Sequence, residues 1–261
     1  MSDELLAVAV EAARAAGGLL LERFRAGTPG AVTMKSSPTD PVSEADRAAE
    51  WTIRDVLAAR RPDDAVVGEE GADVAGDSGL RWVVDPLDGT VNYLYGLPAW
   101  TVTLACQRGS TDTLAGVVFD PVREELFAAT SDGPAFRQAA GDMLELSTPR
   151  ATSLDQALVA TGFGYSPELR ERQGEVAVRV LRAARDLRRI GSAAMDLAWT
   201  ASGRLDAFYE RGLNPWDAAA GMLICARAGL EVRTLAPADG LPGGVLAAPA
   251  AFAGELEALV A

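Results

Sequence analysis

The apolar run Trp82-Val83-Val84 and the nine residues after it, Asp85-Pro86-Leu87-Asp88-Gly89-Thr90-Val91-Asn92-Tyr93, constrain this chain more than any other stretch. Trp82 to Val84 read as a buried strand. Pro86 has no amide hydrogen and a fixed φ, so the ladder is expected to end at Asp85. Two carboxylates then sit on a turn. Asp85 and Asp88 are three positions apart with the Leu87 carbonyl between them, a compact set of hard oxygen donors of the kind Mg²⁺ takes. Gly89 and Thr90 follow at once, and their amides face an anion if a helix begins there. The plainer reading is a polar strand-to-loop transition with Asp88-Gly89 as a turn signal.

The 261 residues suffice for one large domain or two modest ones, and 49% hydrophobic content supplies a packed core. Met1 to Phe24 carry Asp3, Glu4, Glu11 and Arg14, unlike a signal peptide, and no charge-free apolar stretch is long enough to span a bilayer. Cys106 and Cys225 each lie in an apolar segment, so a reducing cytoplasm is the expected setting. A net charge of −13 argues against general nucleic-acid or anionic-membrane binding. An anionic substrate would be repelled too, unless cations neutralise the site. The chain has no histidine at all. That excludes Ser-His-Asp and Cys-His nucleophiles, a phosphohistidine and an ordinary catalytic zinc site. Neither cysteine has an arginine six positions on, where Asp112 and Glu231 stand, so a cysteine-phosphatase loop is absent. Carboxylates and metal ions remain.

Along the chain, Leu6, Val10, Ala13, Gly17, Leu20 and Phe24 mark a first helix that starts at Asp3 and Glu4 and ends near Arg25. Val32 to Lys35 read as a short strand, followed by a loop to Pro41 in which Lys35 and Asp40 are most simply solvated charges. Ser43 with Asp46 three residues on resembles a capping box for a helix burying Ala49, Ile53, Val56 and Leu57. That role alone would account for Asp46. The strand Ala65 to Val67 delivers Gly68-Glu69-Glu70-Gly71, by itself an ordinary acidic loop, and 71 to 79, rich in glycine, is expected to be mobile. Trp100 to Gln107, Thr113 to Phe119 and Glu124 to Thr130 read as an antiparallel meander. Beyond Ser147 strands and helices alternate: Ala157 to Thr161, Pro167 to Ala184, Asp186 to Ile190, a small-residue helix from Gly191-Ser192-Ala193-Ala194 to Ser202, Leu205 to Glu210, a helix from Trp216, strands Leu230 to Leu235 and Val245 to Ala248, and a last helix Pro249 to Val260. The arginines from Arg179 to Arg189 read as a solvated face. Asp217, near its helix start, suits a cap as well as a ligand.

Taken in order, Lys35 to Asp40 with Asp46, Gly68-Glu69-Glu70, Asp85 to Tyr93, Gly191-Ser192-Ala193-Ala194, and Glu210 with Trp216-Asp217-Ala218-Ala219-Ala220-Gly221 resemble the inositol monophosphatase family over almost the whole chain. The resemblance implies a layered α-β-α-β-α sandwich of the sugar-phosphatase type, in two lobes, 1–147 and 148–261, with the metal site at their junction and a homodimer as the assembly. It implies two or three Mg²⁺ per subunit on Glu69, Asp85, the Leu87 carbonyl, Asp88 and Asp217. It places Lys35, Asp46, Glu70 and Thr90 near the attacking water, the Gly89 and Thr90 amides on the phosphate, and Asp88, Ala193, Glu210 and Asp217 on the substrate, a small-molecule phosphate monoester.

The chemistry agrees. Hydrolysis of a phosphate monoester needs on the order of 10²¹-fold acceleration, and one general base supplies only about 10²- to 10⁴-fold. A haloacid-dehalogenase-type phosphatase is the enzymatic rival, but its paired aspartates are two apart, not three, and it would leave Glu69 and Asp217 without work. Within the family, Gly191 to Ala194 and Phe208-Tyr209-Glu210-Arg211-Gly212 favour myo-inositol 1-phosphate, with histidinol phosphate next. Some bacterial relatives also bind transcription machinery, which makes an interaction protein the reading from a different class.

Overall fold

The computed structural model describes residues 1–28, 30–34, 41–147 and 151–261. Helix α1 (Ser2–Ala26) carries Asp3 and Glu4 in its first turn and Arg23 and Arg25 in its last, each sign opposing the helix dipole. Gly27, at φ 65°, closes it with a left-handed cap. Its buried face is Leu5, Val8, Ala9, Ala12, Ala13, Ala16, Gly17 and Leu20, whereas Leu6, Val10 and Phe24, expected on that stripe, pack only at its margin. The cause is steric. Alanines and Gly17 let α1 lie close on the sheet, where a Cβ at Gly17 would come within 2.6 Å of the Phe119 ring.

Strands β1 (Val32–Met34) and β2 (Pro41–Ser43) form a small antiparallel pair; Lys35, Asp40 and the loop between them lie outside the described residues. Helix α2 (Glu44–Arg60) opens with the expected capping box, Ser43 donating its amide to Asp46 at 2.8 Å. Next, β3 (Ala65–Gly68) pairs in parallel with β4 (Leu80–Asp88), Gly68 opposite Val84. The connecting segment is exposed, but it is not loose: Val74 pairs with Val66, and the Asp77 and Ser78 amides donate to the Asp63 carbonyl.

Strand β4 does not stop at Asp85. After the short helix α3 (Thr90–Leu94) the chain returns as β5 (Thr101–Arg108), whose ladder with β4 pairs Asp85 with Thr103 and then Asp88 with Thr101. Three steps on β4 oppose two on β5. Pro86 and Leu87 therefore occupy a bulge, and no ladder bond is required of the missing proline amide. The meander continues as expected through β6 (Asp112–Asp120) and β7 (Glu125–Thr130), then through β8 (Phe136–Ala139) and β9 (Asp142–Glu145), completing a seven-stranded sheet in the order β3-β4-β5-β6-β7-β8-β9.

The remaining elements are β10 (Leu158–Thr161), α4 (Pro167–Ala183), β11 (Asp186–Arg188), α5 (Ala193–Ala201), β12 (Ala207–Arg211), α6 (Pro215–Arg227), β13 (Glu231–Leu235), β14 (Gly244–Ala248) and α7 (Ala253–Val260). Their strands form a second, five-stranded sheet ordered β11-β10-β12-β14-β13. Helices α1 and α2 cover one face of the first sheet, α5 and α6 fill the space between the sheets, and α4 and α7 cover the far face of the second. The layering is α-β-α-β-α. Being enclosed on both sides, α5 is buried around nearly its whole circumference, which is why its sequence lacks an amphipathic stripe.

Candidate active site

The parallel register of β3 and β4 assembles the first part of the site. With Gly68 opposite Val84, the next residues, Glu69 and Asp85, come level, and the Glu69 amide donates to the Val84 carbonyl at 3.2 Å. Their carboxyl groups are hydrogen-bonded to each other. Asp85 is 2% exposed. Burial first, then the charges of Glu69, Asp88 and Asp217, hold its carboxyl well above the usual carboxylate range.

The bulge aims the second part. Leu87 donates its amide to Asp85 at 3.0 Å, and its carbonyl accepts from the Thr90 hydroxyl at 3.1 Å. Gly89 starts α3 at φ 99°, with the Ala99 carbonyl oxygen 3.0 Å and the Gly191 carbonyl oxygen 3.3 Å from where a Cβ would stand, so only glycine fits. Asp88 accepts from the Ser192 hydroxyl and the Ala194 amide, each at 2.7 Å. It thus caps α5 from another strand. Burial pushes Asp88 up to about 6 against those two hydrogen bonds. Asn92 fixes the same junction, donating to the Ala99 and Ile190 carbonyls at 2.7 and 2.9 Å.

Asp217 accepts from the Asn214 amide at 2.7 Å across the first turn of α6, so the capping reading holds, and the residue faces the same cleft. Glu210 on β12 lies opposite. Burial, then Asp88 and Asp217, push its carboxyl up to about 8, with Arg189 opposing. The cleft, about 450 Å³, is lined by Glu69, Asp85, Leu87, Asp88, Gly89, Thr90, Ala193, Glu210 and Asp217.

Asp46 and Glu70 do not line it. Asp46 sits behind Thr90, whose hydroxyl donates to it at 2.9 Å, so Asp46 is both a helix cap and a second-layer support. Burial raises its carboxyl, while the Ser43 and Thr90 hydrogen bonds work the other way. The Glu70 amide donates at 2.8 Å to Glu50, a residue 1% exposed that the sequence reading missed. Its signal was available: Glu50 follows Asp46 by four on the buried face of α2. Lys35 lies outside the described residues. Arg189, read as part of a solvated run, lines the cleft, as does Asp196, which was counted only as helix.

The donor set fits a hard divalent cation. All the groups are oxygens, and two carboxyls in hydrogen-bond contact cannot both be ionised without a cation or a proton between them. Among the described residues no three acidic or cysteine side chains stand, as placed, in a group that could hold a metal ion. Nor is a protein cation available to balance them from Arg211, whose guanidinium donates to the Val260, Ala236 and Pro242 carbonyls.

Layering, strand order and acid-lined cleft together define a layered α/β protein with a carboxylate-rich site. The chain belongs to the inositol monophosphatase family, whose model matches residues 1–261, a family whose members are generally metal-dependent. It is 46% identical over 253 residues to the inositol-1-monophosphatase of Mycobacterium bovis, covering 93% of this chain and 87% of that one. It is 40% identical over 229 residues to the Nus factor SuhB of Escherichia coli K12, covering 86% and 83%. Among solved structures, the extragenic suppressor protein suhB from Bartonella henselae superposes with a TM-score of 0.89 at 32% identity, over 98% of each chain. Mycobacterium tuberculosis SuhB gives 0.79 at 39% identity, over 98% of this chain and 93% of that one. No helix among the described residues is long and apolar enough to cross a membrane.

Proposed function

We propose that this chain is a Mg²⁺-dependent phosphatase that hydrolyses myo-inositol 1-phosphate by attack of water. The observation that carries the reading is the gathering of Glu69, Asp85, Asp88, Asp217 and the Leu87 carbonyl around one cleft that also holds Glu210. Those five groups would hold two or three Mg²⁺, which when bound neutralise the phosphoryl oxygens and acidify the attacking water. The Thr90 hydroxyl has one proton to give, and Asp46 and the Leu87 carbonyl are its acceptors. Its lone pairs are then left to accept from the water; Glu70 and Lys35 are assigned to that water by the family resemblance alone. The Gly89 and Thr90 amides receive the phosphate. Ala193 walls the polyol, and Glu210 accepts from its hydroxyls. In this reading the lobes 1–147 and 148–261 each contribute ligands, and the enzyme works as a cytoplasmic homodimer.

Purified protein assayed with Mg²⁺ against inositol 1-phosphate, histidinol phosphate, fructose 1,6-bisphosphate and phosphoadenosine phosphate is expected to turn over the first fastest. Faster hydrolysis of histidinol phosphate would remove the argument from Glu210, and a phospho-aspartate trapped on Asp85 would rule out attack by water. The likeness to a Nus factor supports a second reading, a component of transcription complexes. Asp85→Asn separates the two, because it should abolish hydrolysis and leave partner binding intact.

A further inference from the structure

One acid in the cleft has no work in the chemistry proposed above. Asp196 stands on α5 three residues beyond Ala193, on the same helix face, and both line the cleft. The residue is 1% exposed, and its Oδ1 has no hydrogen-bond partner among the described residues. The Ile190 amide donates to the carboxyl group, and the charges that act on it are those of Glu210, Asp88 and Arg189. A buried acceptor oxygen to which nothing donates is costly, and folds rarely retain one without a use.

The surroundings restrict what that donor is. Glu210 shares this end of the cleft, its carboxylate laid against the Gly162 backbone, where a Cβ would come within 2.1 Å of Oε1. Asp196 and Glu210 thus line the same cleft, close enough for the Glu210 charge to act on Asp196. Arg189 lies at Gly191, its guanidinium 2.8 Å from where a Cβ on that glycine would stand. What fits beside two carboxyl groups, which accept hydrogen bonds and when protonated also donate one, is a ligand bearing several neutral hydroxyls.

We propose that Asp196 is a substrate-binding, specificity-determining residue: its carboxyl accepts a hydroxyl of the alcohol half of the substrate, so that with Glu210 it selects phosphate esters of polyols over esters whose alcohol carries no hydroxyl. This rests on the phosphatase reading, and it adds a selectivity that the metal ligands do not supply.

The test compares myo-inositol 1-phosphate with phenyl phosphate, which presents the same phosphate and no hydroxyl. Asp196→Ala is expected to raise KM for the inositol ester about fivefold, the scale of one lost hydrogen bond. Its kcat, its kcat/KM for phenyl phosphate and the Mg²⁺ concentration for half-maximal activation should stay at wild-type values. Asp196→Asn keeps an acceptor oxygen and should recover part of the loss; if the alanine variant does not fold, the asparagine variant's ratio between the two esters carries the test, expected to fall about threefold. Equal losses on both esters would reduce Asp196 to a support of the Ile190 turn, and no loss on either would leave it without a role. A shift in Mg²⁺ activation would move it to the metal side. Each of these overturns the proposal. A wild-type protein that hydrolyses neither ester refutes the phosphatase reading instead, and calorimetric binding of inositol 1-phosphate then decides the matter for Asp196, equal affinity of wild type and Asp196→Ala refuting it.

Discussion

Replacing Glu50 by alanine should damage the site from behind without touching the cleft. Glu50 is 1% exposed, accepts the Glu70 amide at 2.8 Å and the Arg54 guanidinium at 2.8 Å, and fills the space that side chains at Gly68 and Gly71 would need, with its oxygens 2.6 and 2.5 Å from their absent Cβ positions. Truncation strands the Glu70 amide, a loss of about 1.5–3 kcal/mol for a hydrogen bond to a charged acceptor. The Arg54 side chain, 17% exposed, gains partial hydration, so the total stays near the low end of the ~3–5 kcal/mol seen when a buried pair is broken. With an unfolding entropy of roughly 2.1 cal/mol/K per residue over 261 residues, a loss of about 3 kcal/mol lowers Tm by about 5 °C. The Gly68–Gly71 turn carries Glu69 and Glu70, and a displacement of an ångström there is worth about 100-fold in rate. Thermal unfolding and steady-state kinetics, with Glu50→Gln as the shape-conserving control at a cost of about 1 kcal/mol, provide the check. An alanine variant that melts within a degree of wild type and keeps its kcat would refute the idea that Glu50 holds the turn.

Three further outcomes follow from the same geometry. Gly89→Ala should cost about 1–3 kcal/mol, since φ there is 99° and the new Cβ would meet the Ala99 carbonyl; hydrolysis should fall far more than stability, and wild-type activity would contradict the packing. Arg211→Met leaves the Val260, Ala236 and Pro242 carbonyls without their donor and should lower stability by about 3 kcal/mol in urea unfolding, an unchanged midpoint counting against the clamp. Glu210 is held up to about 8, above its ordinary 4.5, so between those values the folded chain keeps a proton that the unfolded chain releases. Wild-type stability without metal should therefore fall as pH rises through that window, by at most about 1.4 kcal/mol per unit. Glu210→Gln should flatten the slope in chelator-treated protein, and parallel slopes would exclude Glu210 as its source.

The legible part of this molecule is the part where chemistry dictates residue type. Asp85, Asp88 and Gly89 are polar or conformationally special residues at the end of an apolar run, and the run locates them in the fold. What escaped reading depends on pairing across the chain. Pro86 reads as a strand terminator because a proline cannot serve a ladder; only the register of β4 against β5 reveals the bulge that accommodates it. Strands β8 and β9 are short and half-exposed or fully exposed, so they carry no alternation to detect. Glu50 and Asp196 are acids on helix faces otherwise apolar, a pattern visible in one dimension but without meaning until the face has a neighbour. Arg189 is exposed like the other arginines of its run, and that it also lines the cleft depends on the strand ending at Arg188.

The two readings weighed for Asp46 and Asp217, helix cap or site residue, turn out to describe one arrangement. Asp46 accepts the Ser43 amide at the start of α2, Asp88 accepts the Ala194 amide at the start of α5, and Asp217 accepts the Asn214 amide at the start of α6. Three helices therefore direct their positive ends at one acidic region, each favouring a carboxylate there by a few tenths to about 1 kcal/mol beyond its hydrogen bonds. That is how a chain with no histidine and an acidic balance can gather several carboxylates before any cation arrives. The compensation is incomplete: among the described residues Asp85 receives the Leu87 amide and the Glu69 carboxyl, and its carboxyl is still held well above the usual carboxylate range by burial and the neighbouring charges. The caps thus stabilise the outer carboxylates, and Asp85, which no helix start serves, is where a bound cation would be needed most.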